Sequence, residues 1–289
     1  MTTLPDRYAV LGNPVAHSRS PFIHAAFARQ TGQVIDYGRV LCPLDGFAAA
    51  LRAFATGGQG GHGGRACGCN VTVPFKFDAL RLATRRSERA ALAGAANTLR
   101  FDTEGWFADN TDGVGLVRDI ELNAGLPLAG RRVLLVGAGG AGAGVLGPLL
   151  AARPAEVVVA NRTVHKARAL VDRHAAVAQA HGARLAASGL DSPGAAFDVV
   201  LNASASSLHG QAAPVPASVL APGALAVDLM YGAAAEPFLA WARAAGASAR
   251  DGLGMLVEQA AESFLVWRGV RPLTAPVLQA LRASLAAAS

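Results

Sequence analysis

Lysine is almost absent from this chain. Of its 26 Lys and Arg residues only Lys76 and Lys166 are lysines, which leaves 24 arginines. As solvated positive charges the two types are interchangeable, but only an ammonium can be brought to give and recover a proton near neutral pH. A lysine kept where arginine is the rule is therefore a candidate for a specific task. Cysteine is also scarce: Cys42, Cys67 and Cys69 make an odd count, and the last two are wrongly spaced for a CxxC redox or zinc motif. Reduced thiols in a cytoplasmic protein are expected. The seven histidines form no HxxxH or HExxH pair, so no metal is expected. No apolar run reaches about 18 residues, and the opening "MTTLPDRYAVLG" lacks a basic patch followed by an apolar stretch, so neither a membrane span nor a signal peptide is read.

Aromatic residues are few, at 6%. The net charge of +6 comes from singly scattered arginines with no basic stripe interleaved with aromatics, which points away from nucleic acid and toward small anionic ligands. What the chain does have is apolar mass. Its 289 residues are 52% hydrophobic and 16% charged, enough for well-filled cores in one large or two ordinary domains of a soluble protein.

Short β-rich runs alternate with Ala/Leu-rich helical ones: "RYAVLG", a helix from Pro21, "DYGRVLC", a helix from Phe47, "NVTV", then helices through Ala96. This is the rhythm of an α/β domain with a mostly parallel sheet. "NTLRF" and "GWFADN" around "DTEG" predict a hairpin. After a helix from Gly113, alternation resumes through "RRVLLV", "EVVVA", "FDVVLNAS", "ALAVDLMYG" and "SARDG", a second α/β unit. The Gly-rich "ATGGQGGHGGRACG" reads as a mobile loop insertion.

The pattern GxGxxG occurs at Gly58, Gly137 and Gly142, and with 33 glycines the pattern alone is weak. Context selects Gly137, because it follows the strand "RRVLLV" and opens the helix "AGAGVLGPLLAA". A helix N-terminus with bare backbone N–H groups at Gly137, Ala138, Gly139, Gly140 and Ala141 suits a pyrophosphate. The next strand ends in no carboxylate for a ribose diol. It offers Asn161, Arg162 and Thr163, with Lys166 one turn on, a set suited to the 2′-phosphate of NADP.

In "GCNVTVPFK", side-chain alternation puts Asn70 and Thr72 on one face and the core-facing Val71 and Val73 on the other. Pro74 stops the strand, and Lys76 stands near its C-terminal end, where open α/β sheets place ligands. Upstream, Ser18 and Ser20 lie in "GNPVAHSRSP", with Ser20 before Pro21 expected as an N-cap that could also turn to a ligand. Asn97 in "AANTL" and Asp112 in "NTDGVG" are polar residues in turns. Near the C-terminus, "GMLVEQAAESFLVW" puts Leu253, Leu256, Val257, Ala260 and Phe264 on one helical stripe, with Met255 and Gln259 at its edges.

Taken together, "GNPVAHSRSP", "NVTVPFK", "AANTL", "NTDGVG", "GAGGAG", "NRTVHKA", "DLMYG" and "DGLGMLVEQA" resemble the shikimate dehydrogenase family over nearly the whole chain. The resemblance implies a substrate-binding and catalytic domain of residues 1–112 completed by helices in 253–289, and a Rossmann-type NADP-binding domain of residues 113–252. It implies reversible NADPH-dependent reduction of 3-dehydroshikimate to shikimate, on the route to chorismate and the aromatic amino acids. It makes Lys76 and Asp112 the catalytic pair, with Ser18, Ser20, Asn70, Thr72, Asn97, Tyr231 and Gln259 at the substrate and Leu229 and Gly252 beside the nicotinamide. A cytoplasmic monomer or homodimer is expected. Quinate/shikimate dehydrogenase and a non-catalytic NADPH-binding regulator stand as alternatives.

Overall fold

The computed structural model describes residues 4–57, 64–204, 206 and 213–287. Residues 58–63, at the centre of the Gly-rich stretch read as an insertion, lie outside the described residues. The chain divides into two compact units, Met1–Asp112 with Val257–Ser289, and Gly113–Leu256.

The first unit is built on β1 (Asp6–Gly12), β2 (Ile35–Leu41), β3 (Ala66–Val71), β4 (Arg85–Arg86), β5 (Thr98–Asp102) and β6 (Gly105–Asp109), in the spatial order β2-β1-β3-β5-β6-β4. β1 runs parallel to β2 and β3, whereas β5 is antiparallel to both β3 and β6. The expected hairpin is β5 and β6. Between strands lie α1 (Ser20–Thr31), α2 (Phe47–Ala55), α3 (Lys76–Leu82) and α4 (Glu88–Ala93). One core joins Leu11, Phe47, Leu51, Phe54, Val71 and Leu99, each burying apolar surface that contributes about 1.5–3 kcal/mol.

Local details differ from the sequence reading. Ser20 is the first helical residue of α1, and Arg19 takes the cap position without a side-chain hydrogen bond, so Pro21 alone marks the helix start. β3 ends at Val71, ahead of Pro74. Val71 is 2% exposed as expected, but Val73, already in the turn, is 42% exposed and does not face the core. Period-2 alternation holds only while the strand does.

The second unit begins at the first turn of α5 (Asp112–Arg118), which runs on into a π-helical turn, Asp119–Asn123. Its strands are β7 (Arg132–Val136), β8 (Glu156–Ala160), β9 (Arg184–Ser188), β10 (Phe197–Asn202), β11 (Leu220–Asp228) and β12 (Ser248–Arg250). They order as β12-β11-β10-β7-β8-β9, with every neighbouring pair parallel. Counted from β7, that is the 3-2-1-4-5-6 order of a doubly wound dinucleotide fold, with the strand order reversing between β7 and β10. Helices α6 (Gly140–Ala151), α7 (Val164–Ala180) and α8 (Glu236–Ala244) connect the strands, and two separate cores pack on the sheet. β4 and β9 escaped the sequence reading: β4 is two exposed arginines, and β9, "RLAAS", has no β-branched residue.

α9 (Leu253–Arg268) and α10 (Ala275–Ala286) close the chain. α9 is not the single-stripe helix expected. Glu258, Gln259 and Ser263 are buried alongside Val257, Ala260 and Phe264, while Leu256 is half-buried.

The glycine loop after β7 explains two of its glycines by space. Gly137 has φ +112°, and a Cβ there would meet the Ala203 backbone at 2.9 Å. At Gly142 a Cβ would lie 2.1 Å from the Gly137 carbonyl oxygen. Gly142→Ala is expected to cost about 3 kcal/mol of stability, because backbone must move to admit one methyl. A urea titration checks this; a midpoint equal to the parent's would show that α6 can slide away from the loop.

Candidate active site

Lys76 is the first residue of α3, and its backbone carbonyl accepts from Ala96 N–H at 2.8 Å, which ties it to the turn carrying Asn97. Its Nζ lies 2.5 Å from Asp112 Oδ2, with the two side chains 14% and 7% exposed. The other carboxylate oxygen, Oδ1, accepts from Asn97 Nδ2 at 2.8 Å. Asp112 is itself held by a short turn in which its N–H donates to Asn110 Oδ1. The opposite charges of this nearly dry pair are therefore partnered, and its ammonium is the one lysine nitrogen of the first unit.

Around the pair stands a buried network of amides and hydroxyls. Asn97 Nδ2 also reaches Thr111 Oγ1 and Gln259 Oε1, at 2.9 and 3.2 Å, while its Oδ1 accepts from Thr111 N–H. Asn70 Nδ2 donates toward Asn97 O, Thr98 Oγ1 and Ser263 Oγ. Lys76, Asp112, Asn97, Asn70 and Gln259 thus belong to one connected cluster. Ser18 Oγ lies 3.2 Å from Ser20 Oγ, and the Ser18 carbonyl is gripped by the Arg39 guanidinium. Thr72 follows β3, with its N–H on the Leu11 carbonyl at 2.9 Å. Thr98, Thr111 and Ser263 were missed by the sequence reading. Ser263 lies four residues beyond Gln259, so helical spacing could have found it; the two threonines sit inside motifs that had been noticed for other residues.

A charged layer braces this cluster. Arg89 donates to Asp109 Oδ1 and Oδ2 at 2.7 and 2.6 Å and to Glu262 at 3.0 Å; Arg271 bridges Glu262 and Glu258. Asp109 Oδ1 also accepts from Asn110 N–H and Ser87 Oγ. Burial alone would raise the Asp109 carboxyl, but the Arg89 hydrogen bonds and charge, with Ser87 and Asn110, outweigh it and hold its pKa below the ordinary value. A carboxyl depressed on folding stabilises the protein above its unfolded pKa of about 3.9, and that stabilisation disappears as pH falls through the folded value. Arg89→Met is therefore expected to move acid unfolding to higher pH, by circular dichroism along a pH titration. An unchanged acid midpoint would show that the layer carries no linked stability.

In the second unit, the switch point between β7 and β10 carries the Gly137–Ala138–Gly139 turn and the start of α6. A Cβ at Gly139 would meet nothing within 4 Å, the first turn of α6 holds no acidic residue, and no side chain caps it. Gly140 and Ala141 open that helix with free-standing N–H groups, so the loop suits a diphosphate. Asn161, expected at the cofactor phosphate, also ties the loop together. Its Oδ1 accepts from Ala138 N–H at 3.1 Å and its Nδ2 donates to Thr163 O at 2.9 Å, so it braces the loop. Arg162 and Lys166 are exposed and form no ion pair among the described residues, and Thr163 caps α7 by position. Leu229 and Gly252 are packed together: a Cβ at Gly252 would lie 2.3 Å from the Leu229 carbonyl oxygen. Tyr231 follows β11, half-buried, in this second unit. Asn202 and Asp228, joined at 2.9 Å, buttress the strand ends here and carried no sequence signal that separated them from turn formers.

A sheet of this order with this loop defines the dinucleotide-binding class of α/β proteins, and the first unit adds a buried Lys–Asp contact. Family models match residues 10–99 as the shikimate dehydrogenase substrate binding domain, 121–210 as shikimate / quinate 5-dehydrogenase and 252–282 as the shikimate 5′-dehydrogenase C-terminal domain. The chain belongs to the shikimate dehydrogenase family. It is 64% identical over 287 residues, 99% of each chain, to a shikimate dehydrogenase (NADP(+)) of Acidovorax sp. strain JS42. Among solved structures, an Ael1 enzyme from Pseudomonas putida is 47% identical with TM-score 0.83, covering 96% of this chain and 98% of that one. A shikimate 5-dehydrogenase from Thermus thermophilus, solved with NADP(H) and shikimate, is 31% identical with TM-score 0.78 over 96% and 98% of the two chains. No helix of the described residues is long and apolar enough to cross a membrane, and no His, Cys, Asp or Glu cluster among them could hold a metal.

Proposed function

We propose that this chain is an NADP-dependent shikimate dehydrogenase that reduces the ketone of 3-dehydroshikimate to the hydroxyl of shikimate, reversibly, on the route to chorismate and the aromatic amino acids. The observation that carries the reading is the Lys76–Asp112 contact at 2.5 Å inside an amide and hydroxyl cluster. Residues 1–112 with 253–289 would hold the substrate, and residues 113–252 the cofactor. The cofactor, when bound, supplies the hydride that goes to the ketone carbon. Lys76 Nζ gives the proton that the new alkoxide oxygen needs and, in the reverse direction, takes it from the hydroxyl. Asp112 keeps the ammonium in place; Asn97 holds Asp112 by its second oxygen. Ser18 and Ser20 present hydroxyl donors for the carboxylate, and Asn70, Thr72, Tyr231 and Gln259 meet the ring hydroxyls.

For the cofactor, residues 137–141 cradle the diphosphate, Arg162, Thr163 and Lys166 hold the 2′-phosphate, Asn161 braces that cradle, and Leu229 and Gly252 flank the nicotinamide. The open space above Gly139 and the two exposed cations after β8 fit such a group. Three free thiols suit a reducing cytoplasm, where the enzyme would work as a monomer or homodimer. The test is a spectrophotometric assay of cofactor reduction with shikimate or quinate against NADP or NAD. Turnover confined to shikimate with NADP is expected. Comparable turnover with quinate or NAD would move the chain to the broader quinate/shikimate activity, and no turnover with any pair would leave a cofactor-binding regulator.

A further inference from the structure

Both ends of the Asn70 amide are anchored in the first unit. Its Nδ2 lies 3.2 Å from the Asn97 carbonyl oxygen, 3.1 Å from Thr98 Oγ1 and 3.0 Å from Ser263 Oγ. A peptide carbonyl can only accept, so the atom facing it has to be the amide nitrogen, and chemistry settles which way the side chain points. Oδ1 then faces the other way, where the Tyr37 hydroxyl donates to it at 2.7 Å. Two amide hydrogens already face three acceptors. What Asn70 has left to offer a ligand is therefore not a donor but the second lone pair of Oδ1.

Tyr37 is on β2, the edge strand, and reaches past β1 to meet Asn70 on β3. It lies flat on His24, with ring centroids 4.2 Å apart and planes 9° apart. His24 is fully buried, and neither of its ring nitrogens has a hydrogen-bond partner among the described residues. Burial brings its pKa down to about 3, with the neighbouring Asn70 amide acting the other way, so the ring is neutral at any working pH. Unsatisfied buried nitrogens destabilise a fold, and here aromatic packing surrounds the ring: Tyr37 and Phe264 stack on it, Phe27 meets it edge-on and Trp267 lies tilted against it. Burial, with Cys69 nearby, also lifts the Tyr37 phenol well above its ordinary pKa, offset in part by the Ser20 hydroxyl and Arg39, so Tyr37 stays a hydrogen-bond donor.

We propose that Tyr37, held flat by His24, is a positioning residue that fixes Asn70 as the hydrogen-bond acceptor for one hydroxyl of the substrate. This rests on the reading of the chain as a shikimate dehydrogenase with Asn70 at the substrate. Tyr37→Phe keeps the stacked ring and removes the hydroxyl that holds Oδ1. The Michaelis constant for shikimate is expected to rise about tenfold, the worth of one neutral hydrogen bond, with kcat and the constant for NADP close to their parent values. Monodeoxy shikimates give the readout that a merely structural role would not move. For the analogue lacking the hydroxyl that Asn70 accepts, the parent and Tyr37→Phe should share one Michaelis constant, while the other analogues keep the difference. His24→Phe, which retains a flat ring without the two unpartnered nitrogens, should match the parent.

An unchanged constant in Tyr37→Phe, an equal rise with every analogue, or a rise in His24→Phe each overturns the proposal. Thermal melts of the variants show whether they are folded when assayed. If the parent enzyme turns over no shikimate, the functional reading has failed and the inference with it; if the parent is active and Tyr37→Phe behaves like it, the inference alone has failed.

Discussion

Lys76→Ala is expected to lower the turnover number with shikimate by roughly 10²–10⁴-fold, the usual contribution of a positioned proton donor, with little change in its Michaelis constant. The reason lies in what surrounds the nitrogen. Nζ is 2.5 Å from Asp112 Oδ2, and Asp112 Oδ1 accepts from the neutral amide of Asn97, so Lys76 is the cation paired with this carboxylate. In the proposed reading substrate affinity is spread over the serines, amides and threonine of the first unit, and should survive the loss of one contact. Lys76→Arg separates charge from proton transfer: it restores a cation beside Asp112 but presents a guanidinium that stays protonated. Arg at this position should be nearly as slow as Ala. Steady-state kinetics of both variants checks this, and an active Lys76→Arg enzyme, or equal loss of binding and turnover in Lys76→Ala, would remove Lys76 from the proton-transfer role.

The same reasoning shows why this lysine was legible in the sequence. In a chain with 24 arginines, a lysine at the end of "NVTVPFK" stands out by composition alone. Strand–helix alternation was equally plain in the second unit, where β7, β8 and β10 are dense in Val and Leu and the glycine loop follows β7 directly. β9 was not, because its residues are Ala, Arg, Leu and Ser, and pairing with β8 rather than propensity makes it a strand. α9 shows the same limit from the other side. Its polar Glu258, Gln259 and Ser263 lie off the apolar stripe read from the sequence, yet all three are buried because Arg271, Asn97 and Thr98 supply partners from other elements. Periodicity tells polar from apolar; it does not tell solvated from hydrogen-bonded.

Lys76, Asp112, Asn97, Asn70 and Gln259, singled out in the sequence, come together in one cluster, but its contacts were only partly legible. Asn161 lies where a phosphate ligand was expected, but its side chain is fastened to Ala138 N–H and Thr163 O. A sequence offers the residue type at the strand end without saying which of its atoms the backbone will claim. Asn70 is a similar case: nothing in "GCNVTV" shows that both hydrogens of its amide face protein acceptors, since those belong to residues 27 to 193 positions away.

With Asn161 engaged, recognition of a 2′-phosphate falls to Arg162 and Lys166, and this makes a second large effect expected. Arg162→Ala should raise the Michaelis constant for NADPH by about 10–100-fold, the equivalent of a charge-assisted hydrogen bond of roughly 1.5–3 kcal/mol, and leave that for NADH unchanged. Lys166→Ala should do less, since an ammonium lacks the two-pronged geometry of a guanidinium on phosphate. Both side chains are exposed, so added salt should shrink the difference between NADPH and NADH in the parent enzyme and leave the Arg162→Ala enzyme comparatively insensitive. Initial rates with each cofactor at low and high ionic strength measure all of this. Parallel changes for NADPH and NADH in Arg162→Ala would mean that the residue holds the diphosphate or the loop rather than the phosphate that distinguishes the two cofactors, and the selectivity would then have to come from Thr163 and the backbone at the start of α7.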